Sequence, residues 1–283
     1  MKSRGIVFYV AGSRINYMIP VAIYSLKKYY KGSICFIVDP DFSKEVRKQI
    51  NMVPDCSCIE DAMKHPYKQR GIISLWCRKA WHHIGQYPFN TNLYYDLDHI
   101  WLNEFDYSVF DEIEKYGLVC TSADLNPSRC GRKKKAAERC IGETLPSFHA
   151  INGGCAGAVK NSPQAHAWTD MIVKTRAAPL LRKNPEEFAM CILKAQGIVG
   201  TVSYKWSMPI SPRSFRYKDF MKKLNPHIAL HCTRGTFLRS SKWCTTFLDV
   251  YKSDFMGLRT RREQYRINDH SLKLINTGAN NGV

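Results

Sequence analysis

Apolar and polar residues follow two different periods along the first hundred positions. "GIVFYVA" (5–11) and "SICFIVD" (33–39) are unbroken apolar runs of strand length, and between them "IPVAIYSLKKYY" (19–30) keeps its apolar residues on one face at helical spacing. Strand, helix and strand in that order predict a βαβ unit and therefore a parallel sheet. "FSKEVRKQI" (42–50) predicts another helix, opened by Ser43 as N-cap. "RGIISLWCRKAWHHIG" (70–85) predicts an apolar helix that also carries Arg78 and Lys79, and the strand "TNLYYD" (91–96) follows it.

Further along, the pattern predicts a short helix over 108–116 and a strand "GLVCTS" over 117–122. A polar stretch, 124–147, contains "RCGRKKKAAERC", whose cations would repel one another inside a packed layer, so it is expected as a surface loop or exposed helix. "HAINGGCAGAVK" (149–160) resumes the apolar pattern around a glycine pair. Helices are expected at 163–176 and 185–196, and strands near 198–204 and 227–232. "NTGANNGV" closes the chain as a polar tail. No internal repeat or Pro/Ser-rich linker interrupts this order, so one domain is favoured over two.

Composition adds three constraints. The 283 residues are 45% hydrophobic, enough to build a real core. Lys and Arg number 42 against 24 Asp and Glu, and the resulting charge of +18 favours an anionic partner: a phosphorylated small molecule, nucleic acid or an acidic surface. The eleven cysteines include no C-x-x-C pair, which argues against a zinc ribbon or redox site and for reduced thiols. The first apolar run spans about seven residues, too short for a membrane span. A cytoplasmic protein is the expectation, with peripheral membrane association left open.

Chemistry concentrates at "YYDLDHIWL" (94–102), where two aspartates stand one residue apart as an apolar strand ends. Ligands of parallel α/β sheets bind outside the carboxyl ends of the strands. Where a strand breaks into a turn, Asp96 and Asp98 can converge on one cation. Carboxylates held this way suit Mn²⁺ or Mg²⁺, hard ions that complete their shells with water and phosphate oxygens, and a nucleoside diphosphate is the natural third party. Apolar neighbours on both sides sink the pair, and unpaired buried carboxylates would cost several kcal/mol.

With these residues in view, the chain resembles the GT-A class of nucleotide-sugar-dependent glycosyltransferases over roughly residues 5–240. The resemblance rests on the βαβ opening, the strand ending "YYDLDHIW", a strand with "NGG", a helix opening with acids, and a late H-x-x-x-G in "IALHCTRGTF" (228–237). It implies an α/β fold: one Rossmann-like GT-A domain over 1–275, with a central, mostly parallel twisted sheet flanked by helices. Within it, 1–100 would be the nucleotide-binding half, 101–240 the acceptor half and 241–275 a C-terminal helical segment, with 276–283 disordered. The resemblance also implies a UDP-sugar donor, a glycan or glycoprotein acceptor, and Asp96 and Asp98 holding the metal, Asp96 also the donor. In glycogenin-like members a late histidine and glycine complete the site, which maps onto His231 and Gly235. The family's Lys-Pro-Trp ending is replaced by Thr236, Phe237 and Leu238, leaving Arg234 or Arg239 to meet the diphosphate. The size and "YYDLDHIW" are also similar to chlorovirus capsid-glycan enzymes, a xylosyltransferase among them, which would place the protein in a host cytoplasm.

The remaining candidates follow from the same comparison. The first strand and its turn usually hold uridine, which implicates Val10, Ala11, Gly12 and Ser13, with Asp39 at the end of the second strand. One of Arg78 and Lys79 would face the diphosphate, Arg being the better bidentate clamp. Asn152, Gly153 and Gly154 would line the donor sugar. "NPEEFAMCIL" starts a helix with Asn184 as N-cap and Pro185 at its first position. An inverting transfer needs a carboxylate to take the acceptor's proton, and Glu186 or Glu187 fits, with Asp170 in reserve. A retaining course would leave those acids to bind acceptor only. Trp206 is either a core residue, as most tryptophans are, or an aromatic platform for a sugar. Two other classes stay open. A metal-dependent nucleotidyltransferase also uses paired aspartates, although "AGSR" is a faint version of its glycine-rich signature. Basic segments such as "RTRREQYR" meet the electrostatic criterion for nucleic acid, but no nucleic-acid motif accompanies them, so that partner is not favoured.

Overall fold

The computed structural model describes residues 3–11, 18–63, 72–122, 131–178, 181, 184–209, 228–231 and 273. A βαβαβ opening runs through β1 (Arg4–Val10), α1 (Ile19–Lys27), β2 (Ser33–Val38), α2 (Lys44–Asn51) and β3 (Cys56–Glu60). After it come α3 (Ile72–Ile84), β4 (Thr91–Tyr95), β5 (His99–Trp101), α4 (Ser108–Tyr116), β6 (Leu118–Ser122) and α5 (Gly131–Ile141). The described chain continues with β7 (Ile151–Val159), α6 (Pro163–Ala177), α7 (Pro185–Ala195), β8 (Gly200–Val202), a 3₁₀ turn at Tyr204–Trp206, β9 (Met208–Pro209) and β10 (Ala229–His231).

Seven strands form one sheet in the order β3-β2-β1-β4-β7-β6-β8. All neighbours are parallel except at β7, which runs antiparallel to both β4 and β6. The central strands β1 and β2 are buried on both faces, as a covered parallel sheet requires. Their alternate residues divide between the faces. Ile6, Phe8 and Val10 join Met18–Leu26 and α4 on one side, whereas Val7 and Tyr9 pack with Cys35, Ile37, Tyr87 and Tyr94 on the other. A second cluster joins α3, α5, α6 and α7 to Leu118, Cys120, Ala156 and Ala158.

Local signals account for most boundaries. The Ser43 hydroxyl accepts from the Val46 amide and starts α2. Gly117, with φ of +73°, ends α4 in the left-handed region that glycine enters without strain, so the next strand begins at Leu118 rather than at 117. Asn184 stands at the start of α7, but its side chain caps no backbone amide and instead donates to Glu187 Oε2 at 2.8 Å. The basic stretch forms α5, which buries Ala136 and Ala137 and exposes Arg132, Lys133, Lys135 and Arg139. The eight described cysteines are free thiols. Among the described residues no helix is long and apolar enough to cross a membrane.

A second, three-stranded sheet, β5-β10-β9, sits against the first. β10 pairs antiparallel with β5, placing His231 opposite His99, and parallel with β9. That pairing brings His231 to the segment that follows the two aspartates.

Candidate metal centre and donor site

β4 ends at Tyr95, and the chain turns through Asp96, Leu97 and Asp98 before β5 begins. Leu97 is buried in the core and anchors the turn, while both aspartates face the same side. Because β7 is reversed, its first residues lie at this carboxyl edge, and the Asp96 amide donates to the Gly154 carbonyl at 2.8 Å. Between the pairs Cys120↔Ala156 and Thr121↔Asn152, the register shifts so that Gly153, Gly154 and Cys155 bulge out of the β6–β7 ladder. Gly154 is needed there. A Cβ at this position would stand 2.6 Å from Nδ1 and 2.7 Å from Nε2 of His231.

His231 is 6% exposed. Its Nε2 lies 3.0 Å from Asp98 Oδ1 and 3.7 Å from Asp96 Oδ2. Its Nδ1 lies 2.8 Å from Asn152 Oδ1, an atom that also accepts from the Gly154 amide at 3.0 Å. An amide N–H can only donate, so that Asn152 atom is the carbonyl oxygen, and Nδ1 of His231 must carry the hydrogen. Nε2 is left to face the carboxylates. The buried Asp98 Oδ1 meets that nitrogen at 3.0 Å and accepts no other hydrogen bond among the described residues. An imidazole nitrogen and two carboxylates converging in this way fit a shared cation. An imidazole held by its other nitrogen is the usual arrangement in such sites.

The electrostatics agree. Burial holds the Asp98 carboxyl above its ordinary range, with His231 pulling it back. Burial alone would lower the His231 pKa, but Asp98 and Asp96 beside it raise it overall. Asp98, His99 and His231 each offer one ligand atom within 4.8 Å of the others, but both ring nitrogens of His99 are engaged within the protein. Asp96 is therefore the better third member. Tyr94 donates its hydroxyl to Asp96 Oδ1.

On α3, successive residues point about 100° apart, and Arg78 and Lys79 serve different neighbours. Arg78 donates to the Tyr9 hydroxyl at 2.8 Å and to Asp39 Oδ1 at 3.3 Å, and lies 3.5 Å from Asp61 Oδ2. Lys79, only 3% exposed, donates to the Gly153 carbonyl at 2.5 Å and lies 3.8 Å from Asp96 Oδ1. Burial opposes its charge, but Asp96, Glu186 and Glu187 around it raise its pKa. Glu186 is 5% exposed, and burial pushes its carboxyl up to about 7 despite the pull of Lys79. Glu187 is half-buried, and its Cβ and Cγ would lie 3.7 and 3.8 Å from a Cβ on Gly153.

No known family model matches the sequence, and no curated protein matches it. Solved structures do. The galactosyltransferase LgtC, in complex with donor and acceptor sugar analogues, superposes with a TM-score of 0.56 at 13% identity, over 93% of this chain and 99% of that one. The glycosyltransferase GlyE of Streptococcus pneumoniae TIGR4 gives 0.57 at 12% identity, over 97% of this chain and 63% of that one. Mouse xyloside xylosyltransferase 1 gives 0.53 at 14% identity, over 82% and 98%. The chain has the GT-A fold.

Within this GT-A fold, Asp96, Asp98, His231, Asn152, Gly153, Gly154, Lys79, Glu186 and Glu187 lie together around the end of β4 and the start of β7. Arg78 and Asp39 form a neighbouring group with Tyr9 and Asp61, at the carboxyl ends of β1, β2 and β3. Val10 is buried at the end of β1 and Ala11 is half-buried after it. Gly12, Ser13, Arg234, Gly235 and Arg239, like the helical segment expected at 241–275, lie outside the described residues, apart from Lys273. Asp170 is exposed on α6. Of the two readings of Trp206, core residue and sugar platform, the structure bears out the first. The side chain is 3% exposed and packs edge-on against Phe105 at 5.2 Å. Four polar residues went unnoticed in the sequence: Tyr9, Asp61, His99 and Ser207. Asp61 follows an apolar-polar alternation at 56–60 that could have been read as a strand, whereas Ser207 carries no local signal at all.

Proposed function

We propose that the protein is a metal-dependent glycosyltransferase that moves a sugar from a UDP-sugar, UDP-xylose or a related UDP-hexose, to a hydroxyl of a glycan or glycoprotein. The observation that carries this reading is the convergence of Asp96, Asp98 and the open Nε2 of His231 at the carboxyl edge of a GT-A sheet. These residues would hold Mn²⁺ or Mg²⁺, and the imidazole nitrogen in the set favours Mn²⁺. Such an ion supplies positive charge to the departing diphosphate. Lys79 adds a fixed protein cation at the same edge. Arg78 binds Tyr9, Asp39 and Asp61 into a frame beside Val10 and Ala11, where the uridine would sit with Gly12 and Ser13. Gly153 would line the donor sugar, and Gly154 leaves room for the His231 ring. In an inverting transfer, a glutamate of the first turn of α7 takes the acceptor hydroxyl's proton. Glu187 is the one with solvent access, and Glu186 lies close behind with a carboxyl pKa of about 7.

The test is a donor screen. The protein is incubated with Mn²⁺ and a panel of UDP- and GDP-sugars, release of the nucleoside diphosphate is followed, and the assay is repeated with Asp98→Ala and with chelator. Turnover confined to UDP-sugars and lost in both controls supports the proposal; turnover indifferent to both refutes it. The anomeric configuration of the product, read by NMR, then decides the role of the glutamates. Inversion keeps one of them as base, and retention reassigns them to holding the sugars.

A further inference from the structure

His99 and Ser207 have no part in the reaction proposed above, yet both are fully buried beside it. Their hydrogen bonds can be assigned one by one. His99 Nδ1 lies 2.8 Å from the Asp96 carbonyl, which can only accept, so Nδ1 carries the hydrogen. Ser207 Oγ already accepts from Asn152 Nδ2 and keeps its own hydrogen to give, so Nε2 of the ring accepts. Its donor is the Ser207 hydroxyl, 2.7 Å away. That hydroxyl oxygen in turn accepts from Asn152 Nδ2 at 2.7 Å, and the Ser207 carbonyl accepts from the same nitrogen at 2.8 Å. Asn152 Oδ1 then receives the Gly154 amide and His231 Nδ1. The chain is anchored by an obligate acceptor at the Asp96 carbonyl and an obligate donor at the Gly154 amide. No proton in between can reverse without leaving a buried group unpaired.

We propose that His99 and Ser207 are positioning residues that lock the Asn152 amide, and through it the His231 ring, in the tautomer that leaves Nε2 open toward Asp98. This rests on the metal-dependent reading above. Without the Ser207 hydroxyl, His99 Nε2 becomes a buried acceptor with no donor, and the ring gains by rotating toward another one. Asn152 loses one of the two bonds that fix which end of its amide faces His231. The consequence reaches the metal ligand by a second route as well. His99 and His231 stand opposite each other in the β5–β10 pairing, and their rings stack at 4.4 Å and 11°. Displacing one ring displaces the support of the other. The role first expected of Asn152, lining the donor sugar, becomes that of a clamp on the imidazole.

The experiment has two arms. Mn²⁺ affinity is measured from the free-ion EPR signal for the wild type, Ser207→Ala, Asn152→Ala and the double variant. Long-range ¹H–¹⁵N NMR of the metal-free protein at neutral pH reads which nitrogen of His99 holds the proton. Ser207→Ala is expected to weaken Mn²⁺ binding about 10-fold and Asn152→Ala about 10- to 100-fold, the range found when outer partners of a metal ligand are removed. The double variant is expected to lose less than the two single losses combined, because one chain carries most of both effects. Wild-type His99 should show its proton on Nδ1. Unchanged Mn²⁺ affinity in Ser207→Ala overturns the inference, as do additive losses in the double variant or a wild-type His99 protonated on Nε2. Failure of the wild type itself to bind Mn²⁺ overturns the metal reading instead, which separates the two.

Discussion

Replacing Gly154 by alanine tests the metal centre through a single methyl group. The added Cβ would overlap the His231 ring, 2.6 Å from Nδ1, 2.7 Å from Nε2 and nearer still to the carbon between them, against 3.4–4 Å for ordinary contact, so the ring must retreat by about 1.2 Å. Metal–ligand distances tolerate about 0.2 Å, and a displacement several times larger removes the nitrogen as a ligand. The ring cannot slide freely, because Nδ1 is bonded to Asn152 and the ring face is stacked on His99. Overpacking of this kind costs about 1–3 kcal/mol, or a melting point lower by roughly 2–10 °C. Mn²⁺ binding, followed by calorimetry or EPR, is expected to weaken at least as much as on loss of an outer partner, about 10- to 100-fold. The reasoning also predicts a rescue. Adding His231→Ala to Gly154→Ala removes the clash, so the double variant should melt above Gly154→Ala while binding the ion no better. Wild-type Mn²⁺ affinity in Gly154→Ala, or a double variant that melts lower still, would refute it.

Glu186, raised from its ordinary 4.5 to about 7, binds its proton more tightly in the folded chain than in the unfolded one, so it lowers stability as pH rises from about 4.5 to 7 and by a constant amount above that. Glu186→Gln should therefore melt like the wild type near pH 4 and above it at pH 8, by an amount on the order of 3 kcal/mol; parallel melting curves across that range would contradict the burial argument. Lys79→Met removes the cation that holds the Glu186 pKa down, so the pH-dependent melting of Glu186 should shift to higher pH, and UDP affinity, measured by calorimetry, should fall about 10-fold through loss of a charge-assisted contact. Mn²⁺ at 100 times its dissociation constant should stabilise the wild type by about 2.7 kcal/mol, seen as a higher melting temperature, and Asp98→Asn should lose that gain; equal shifts in both would place the ion elsewhere.

Much of this fold is legible in the sequence because its elements are strongly periodic. The apolar runs of β1 and β2 and the cap at Ser43 give strand–helix–strand order without help from distant residues. The failures have a common cause, which is dependence on partners far away in the chain. β3 is a half-exposed edge strand of five residues, and β5 has only three, too few for a pattern to register. The choice between Arg78 and Lys79 turns on how α3 is rotated against the sheet, which neighbours in sequence do not reveal. The aspartate pair announces itself locally, and His231 through its resemblance to a family. His99 stands in the same quoted segment and passes unnoticed, because its part depends on the pairing of β5 with a strand about 130 residues later. The two readings of Trp206 could not be told apart locally for a similar reason, since its place in the core depends on partners such as Phe105 about 100 residues earlier.

The reversal of β7 shapes what this chain can change without harm. β6 finishes, and β7 starts, at the same rim of the sheet, so the intervening segment 123–150, with the cationic α5, departs from and returns to that rim. Substitutions at the exposed positions of α5, Arg132, Lys133, Lys135 and Arg139, leave the strand ladder intact while altering the charge of that excursion, independently of Asp96, Asp98 and His231.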